Sequence, residues 1–173
     1  MKIGFFLNFE KSLGGGHFWR CLNLAKKMKK SGREFYFFSN IKDKSFLALL
    51  KKNNFRYIEI FEKKKKKFIK ELTQKIEYLK IKNLIIDSYK IDYFDEKKIK
   101  TVTKKLIVID DYVNKRHYCD LFINNNFLSS ESKKIIKKKN PRTELAIGHN
   151  YNIISNNKTK KKLYLKKYKN IKN

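Results

Sequence analysis

Short apolar segments alternate with segments of helical periodicity along most of this chain. The segments at 2–8 and 83–87 are almost continuously apolar, as in strands that are buried on both faces of a sheet. Between 17 and 30, in contrast, apolar residues recur at spacings of three and four, which is typical of one face of a helix. Helical connections join parallel strands, so the pattern predicts a doubly wound α/β fold, a parallel sheet with helices on both faces.

The same criteria predict the other elements and the extent of the domain. Strands are predicted at 2–8, 34–38, 55–60, 83–87, 105–110, 120–124 and 144–148. Helices are predicted at 17–30, around 46–50, at 62–80 and at 95–103. We expect residues 1–155 to form one domain, because 173 residues leave no room for a second complete one. The tail at 156–173 has eight Lys and no acidic residue, and we expect it to be disordered.

The formal net charge of +28 raises the question of a nucleic-acid partner. Of the 44 basic residues, 39 are Lys and only five are Arg, at positions 20, 33, 56, 116 and 142. Lys, Asn and Ile together are what A/T-rich codons supply, whereas phosphate recognition favours the planar fork of Arg. The composition therefore argues against a dedicated nucleic-acid function and leaves nonspecific attraction to polyanions open.

The cysteines and the hydropathy indicate a cytoplasmic protein. Cys21 and Cys119 stand far apart without a pairing pattern, as in a reduced compartment. No apolar run approaches the eighteen residues that a membrane span requires. The amino-terminal apolar run is short and meets Asn8 and Glu10, so it is typical of a first strand and not of a secretory signal.

Polar clusters follow four of the predicted strands. They are Gly14-Gly15-Gly16-His17, Asp87-Ser88-Tyr89, Asp110-Asp111 and Asn124-Asn125-Asn126. Ligands of doubly wound sheets bind beyond the carboxyl ends of the strands, where these clusters are expected to converge. The glycine turn matches neither the dinucleotide pattern nor a P-loop, so it could equally well serve only to join a strand to a helix.

His17 is the candidate catalytic base. It lies in the first turn of a predicted helix, where the helix dipole disfavours the imidazolium, and a neutral ring can accept a proton from water or a sugar hydroxyl. The alternative is a histidine that only helps to start the helix or packs beside Arg20 and Cys21. Arg20, one turn later, could meet a ligand anion or pair with Asp110 or Asp111.

The other reactive side chains have plainer interpretations. Asp87, Asp110 and Asp111 could hold a sugar hydroxyl or orient a histidine, or they could cap turns after their strands. Cys21 faces the predicted core and is interpreted as buried filler, and His117 as structural. No His or Cys cluster has the spacing of a metal site, and no cofactor is indicated.

Four segments resemble the UDP-2,4-diacetamido-2,4,6-trideoxy-β-L-altropyranose hydrolases of the pseudaminic acid pathway, which in turn resemble two-domain glycosyltransferases of the B fold. The segments are GGGHFWRCLNLA at 14–25, LIIDSYKID at 84–92, LIVIDDYVNKRHYCDLFINNN at 106–126 and GHNYNII at 148–154. The resemblance implies the amino-terminal, Rossmann-like domain of such an enzyme, with release of UDP from a UDP-sugar and without a metal. It makes His17 the base that activates the attacking water.

The polar clusters after the strands and the resembling segments together give a set of candidate substrate-binding residues. They are Gly14, Gly15, Gly16, Arg20, Asp87, Tyr89, Asp110, Asp111, Asn124 and Tyr151. Three departures from the family pattern stand out: Phe6 and Asn8 replace a basic residue and an Asp, Ser88 replaces a His, and Ser155 replaces an Arg. After Ser155 the family continues into a nucleotide-binding domain, so we expect this chain to be truncated or to work beside a separate nucleotide-binding chain.

Two other functions remain open at the level of sequence. The chain could be the acceptor half of a split glycosyltransferase, in which a sugar hydroxyl takes the place of water. It could also be a noncatalytic module that binds polyanions or membrane surfaces through its Lys-rich tail.

Overall fold

A computed structural model describes residues 1–8, 15–29, 32–62 and 64–153. Its strands are β1 (Lys2–Leu7), β2 (Glu34–Ser39), β3 (Arg56–Glu59), β4 (Asn83–Asp87), β5 (Lys105–Ile109), β6 (Leu121–Asn124) and β7 (Glu144–Ile147). Its helices are α1 (Gly16–Met28), α2 (Lys44–Lys52), α3 (Lys65–Tyr78), α4 (Tyr93–Lys100) and α5 (Ser130–Lys139), and a short 3-10 turn covers His149–Tyr151. The predicted tail at 156–173 and Gly14 lie outside the described residues.

All seven strands form one parallel sheet in the order β3-β2-β1-β4-β5-β6-β7. The chain therefore builds outward from β1 through β2 to β3, and then returns to place β4 on the other side of β1. A doubly wound sheet opens a crevice at such a reversal, beyond the carboxyl ends of the two strands. This topology brings the residues that follow β1 next to those that end β4.

Two apolar cores cover the two faces of the sheet, as alternating side chains of each strand require. On one face Phe5 and Leu7 pack with Phe18 and Leu22 of α1 and with Leu50 of α2. On the other face the core is built from the buried sides of α3, α4 and α5, including Leu72, Ile76, Ile99 and Ile136. The predicted doubly wound parallel sheet with helices on both faces is confirmed.

The predicted strands and the first four helices are present with boundaries that move by a few residues. Helix α4, for example, covers Tyr93–Lys100 and not 95–103, because the side chain of Asp92 accepts hydrogen bonds from the amides of Phe94 and Asp95 and starts the helix earlier. Helix α5 was not predicted. Its sequence, SESKKIIKKK, has a single buried residue, Ile136, and so carries almost no apolar periodicity.

Gly4 is required by the packing of β1 and not by its backbone conformation. A Cβ atom at this position would lie 2.8 Å from Leu84 Cδ1, 3.0 Å from Ile81 Cγ2 and 3.1 Å from Phe38 Cε2. All three neighbours are fully or almost fully buried in the core beneath α3. A methyl group here would force these side chains apart in a packed interior.

We predict that Gly4→Ala lowers the free energy of unfolding by about 1–3 kcal/mol, because overpacking outweighs the gain in backbone stiffness. Urea unfolding followed by circular dichroism measures the change. Gly16→Ala is the matched control, since a Cβ there meets nothing within 4 Å, and it should leave stability unchanged or slightly raised. Equal stabilities of the two variants would contradict this account of Gly4.

Candidate active site

The site is built at the point where the chain reverses across the sheet. Helix α1 follows β1, and its first two turns place His17 and Arg20 beside the end of β4, where Asp87 is located. Gly15 precedes the helix in the left-handed conformation, with φ of 71°, and a Cβ atom there would lie 3.3 Å from the Phe46 ring. Glycine therefore fits this turn for both conformational and steric reasons.

Asp87 is the centre of the site. Its carboxylate is completely buried, and its Oδ1 lies 2.6 Å from His17 Nδ1. Arg20 donates from Nε to Oδ2 at 2.7 Å and from a terminal nitrogen to Oδ1 at 2.6 Å, which is the bidentate geometry that an arginine and a carboxylate form. A buried carboxylate requires such partners, and here a histidine and an arginine share it.

The contact with Asp87 fixes the tautomer of His17. A carboxylate oxygen accepts hydrogen bonds, so Nδ1 carries the proton and the neutral ring keeps its lone pair on Nε2. A terminal nitrogen of Arg20 also lies 3.4 Å from His17 Nδ1. Because both nitrogens are donors, they do not bond to each other, and they are close because both donate to Asp87. The Tyr89 ring meets the imidazole edge to face at a centroid distance of 4.7 Å and fixes its plane.

Asp111 closes the site on the side of β5. It accepts from Arg20 at 3.2 Å and from the Tyr89 hydroxyl at 2.6 Å. Burial opposes ionisation of Asp111, but the hydrogen bond from Tyr89 and the positive charge of Arg20 outweigh it, so the pKa of Asp111 is lowered. Burial raises the pKa of Tyr89, and the hydrogen bond to Asp111 raises it further, so the phenol stays a donor.

Arg20 is tied to two carboxylates. Burial opposes its charge, but its hydrogen bond and ion pair with Asp87, together with the charge of Asp111, raise the pKa of the guanidinium above its ordinary value. Of the two partners that the sequence suggested for Arg20, Asp111 pairs with it and Asp110 does not, because Asp110 pairs with Lys115 at 2.8 Å. The main partner, Asp87, was not anticipated.

A cavity of about 240 Å³ opens in front of these residues. It is lined by Gly16, His17, Arg20, Tyr89 and Asp111. About one tenth of the His17 side chain is exposed, so the ring is packed against Asp87 and still forms part of the cavity wall. A larger cavity of about 580 Å³ lies at the ends of β1, β2 and β3, with Phe6, Lys42, Glu59, Phe68 and Lys90 among its lining residues.

The remaining predicted site residues lie apart from this group. Asn124 is completely buried at the end of β6, where its side-chain oxygen accepts from the amide of Asn126. Its neighbour Asn126, which was not singled out, reaches Asp111 at 3.4 Å. Tyr151 is half exposed in the 3-10 turn after β7.

Cys21 and His117 have the surroundings that their structural interpretations require. Cys21 is fully buried beside Asp87, and burial raises the pKa of its thiol well above the ordinary value, with the charge of Asp87 adding to the effect. His117 is buried, stacks on Phe122 and lies 2.7 Å from Glu96 through Nδ1. Neither residue lines the cavity at His17.

No protein-family model matches this chain. It is 27% identical over 159 residues to the uncharacterized protein MJ1062 of Methanocaldococcus jannaschii. The matched region covers 90% of this chain and 31% of that protein.

Among solved structures, the chain is similar to MurG of Acinetobacter baumannii, with a TM-score of 0.55 and 14% identity over 76% of this chain and 43% of MurG. A glycosyltransferase from Rickettsia africae matches with a TM-score of 0.46 and 17% identity, over 63% of this chain and 29% of that one. The chain thus spans less than half the length of each of these proteins. The likeness to MurG identifies the fold as that of a glycosyltransferase-B-type domain.

None of the helices among the described residues is long and apolar enough to cross a membrane.

We predict that Asp111→Asn makes the stability of the protein less dependent on pH in the acid range. Because the pKa of Asp111 is lowered by folding, its contribution is present above its unfolded pKa of about 4 and is lost as pH falls through the folded value. The variant should be less stable at pH 7 by about 1 kcal/mol and should approach the wild type at low pH.

Urea unfolding at a series of pH values from 7 to 3 measures this difference. Tyr89→Phe, which removes one donor to Asp111 and keeps the carboxylate, should give an intermediate pH dependence. If the free energies of unfolding of Asp111→Asn and the wild type change in parallel with pH, ionised Asp111 does not stabilise the fold.

Proposed function

We propose that this chain carries the catalytic base of a hydrolase that releases UDP from a UDP-sugar of the 2,4-diacetamido-2,4,6-trideoxyhexose type, as in pseudaminic acid biosynthesis. The observation that carries the proposal is the contact of 2.6 Å between His17 Nδ1 and the buried carboxylate of Asp87, with the ring on the wall of a cavity. It gives Nε2 the role of proton acceptor.

The resemblance to the hydrolases gains support from how its segments meet. Segment 14–25 contributes His17 and Arg20, segment 84–92 contributes Asp87 and Tyr89, and segment 106–126 contributes Asp111. These five side chains form one connected group, although they lie as much as 94 residues apart in the sequence. Residues that resemble a family's motifs and also converge in space are better supported as a site than the motifs alone.

The mechanism follows from the hydrogen bonds of His17. Nε2 takes a proton from water as the water oxygen attacks the anomeric carbon, and the bond from that carbon to the UDP oxygen breaks. Positive charge then develops on the imidazole, and Asp87 stabilises it through Nδ1–H. UDP leaves with the electron pair of the broken bond, and the free sugar keeps the hydroxyl that came from water.

The charge of the group suits the sugar better than the diphosphate. The carboxylates of Asp87 and Asp111 together exceed the single charge of Arg20, so the group carries a net negative charge while His17 is neutral. A negative group stabilises the positive charge that develops at the anomeric carbon as the leaving group departs. It repels phosphate, so Arg20 acts in positioning Asp87 and does not bind the UDP anion.

The diphosphate and the uridine therefore need other contacts. The cavity of about 240 Å³ is smaller than the 300–1,000 Å³ that is usual for small-molecule sites. We propose that a nucleotide-binding domain, on a longer form of this protein or on a separate chain, closes over the carboxyl edge of the sheet and completes the site. The chain alone is then expected to have little activity, because positioning supplies much of the rate.

We predict that His17→Ala lowers UDP release from the diacetamido UDP-sugar by about 100-fold or more, since general-base catalysis contributes about 100- to 10,000-fold. The assay measures UDP released by the chain with and without a supplied nucleotide-binding domain. His149→Ala is the matched control, because this exposed histidine stacks on Phe127 and does not line the cavity.

Three results would distinguish the alternatives. If UDP release in the presence of the second domain is the same for His17→Ala and the wild type, His17 is not the base. If UDP is released only when a sugar acceptor is added and a disaccharide forms, the chain is the acceptor half of a glycosyltransferase. If neither occurs and deletion of 156–173 abolishes binding to anionic polymers, the chain is a polyanion-binding module.

A further inference from the structure

A third cavity, of about 510 Å³, lies near the amino ends of β6 and β7, at the opposite edge of the sheet from His17. Two short segments form most of its wall: 116–120, which leads into β6, and 139–143, which leads into β7. The rest of the wall is supplied by Tyr93 and Lys100 at the two ends of α4. This cavity shares no lining residue with the one at His17.

The lining of this cavity has a surplus of positive charge. Lys100, Arg116, Lys139 and Arg142 face a single carboxylate, that of Asp120. Asp120 is already engaged, since it accepts from Lys100 Nζ and from a backbone amide, each at 2.6 Å. Within the described part of the chain no carboxylate pairs with the two arginines or with Lys139.

The arginines distinguish this cavity from the rest of a lysine-rich surface. The chain has 39 Lys but only five Arg, and two of the five line this one cavity. Because Lys is abundant along the whole chain, a surface patch of lysines alone would not indicate a binding site. Arg presents five donors in a planar fork that binds phosphate oxygens in pairs, and this geometry is the reason for arginine at phosphate sites.

The walls of the cavity are held in place by one stacking contact and three hydrogen bonds, of which the bond between His117 and Asn140 is buried. Arg116 stacks on the Tyr93 ring, with its guanidinium carbon 4.1 Å from the centroid, and donates to the Tyr93 hydroxyl at 3.1 Å. Asn140 is buried and accepts from the amide of His117 at 2.7 Å. The Thr143 hydroxyl donates to the carbonyl of Cys119 at 3.1 Å. These bonds tie the two segments that carry the arginines, so little order has to be gained on binding.

We propose that this cavity binds a small phosphate monoester. Its volume is in the range of small-molecule sites. Two arginines that pair with no carboxylate among the described residues supply, with Lys139, the charge for one phosphate dianion. Tyr118, which is exposed, and the partly buried Tyr93 provide an aromatic wall for the group esterified to the phosphate. A polynucleotide would need a row of cations along a groove. Here the cations line a single concave site, so a small ligand fits better.

The test is calorimetric titration of the chain with inorganic phosphate and with phenyl phosphate in 150 mM NaCl. We expect phenyl phosphate to bind more tightly than inorganic phosphate, because only the ester reaches the tyrosines. The double variant Arg116→Gln, Arg142→Gln should lose about tenfold or more in affinity for both, as expected for the loss of charge-assisted hydrogen bonds. Arg116→Lys with Arg142→Lys, which keeps the charge and removes the forks, should also lose affinity.

The matched control is the double variant Lys51→Gln, Lys52→Gln on exposed positions of α2, which removes the same charge from another surface. It should bind both phosphates as the wild type does, and so should His17→Ala, which separates this site from the proposed active site.

An equal loss of affinity in the double variant Arg116→Gln, Arg142→Gln and in the control Lys51→Gln, Lys52→Gln would overturn the proposal, since attraction would then depend on net charge alone. Failure of the wild type to bind either phosphate would also overturn it, and so would an arginine dependence seen only with an oligonucleotide. Thermal unfolding of each variant checks that the fold is retained.

Discussion

One buried carboxylate organises the functional edge of this domain. Asp87 ends a central strand with no exposure to solvent, and such a charge is tolerated only when its oxygens are fully hydrogen-bonded. His17 and Arg20 supply those bonds from the first two turns of α1, and Arg20 also donates to Asp111. The tautomer of the imidazole, and with it the proposed chemistry, depends on the hydrogen bond between His17 and Asp87.

The group at His17 and the cavity at the opposite edge of the sheet differ in charge. Around His17 two carboxylates exceed the one arginine between them, in a chain whose net charge is strongly positive. At the amino edge of β6 and β7 the balance is reversed, with four cations around one engaged carboxylate, Asp120. The proposed sugar site and the proposed phosphate site therefore have opposite charges, as their two ligands would require.

Much of the fold could be predicted because it follows from local periodicity. Strands of continuous apolar residues and helices with one apolar face each leave a pattern in a short window. Helix α5 was missed for the same reason, since Ile136 is its one buried residue and most of its other residues are charged. The site was predicted in its members but not in its connections: Asp110 and Asp111 were equivalent in sequence, yet Lys115 holds the first and Arg20 holds the second.

The sequence by itself determined the alternation of strands and helices, the doubly wound class and the candidacy of His17, since each depends on residues that are neighbours in the chain. Only the tertiary structure decided which carboxylate meets the imidazole, and that Arg116 and Arg142 line one cavity. The physical reason is the strand order. When β4 is placed beside β1, residues 70 positions apart come within 2.6 Å, and no local pattern encodes that distance.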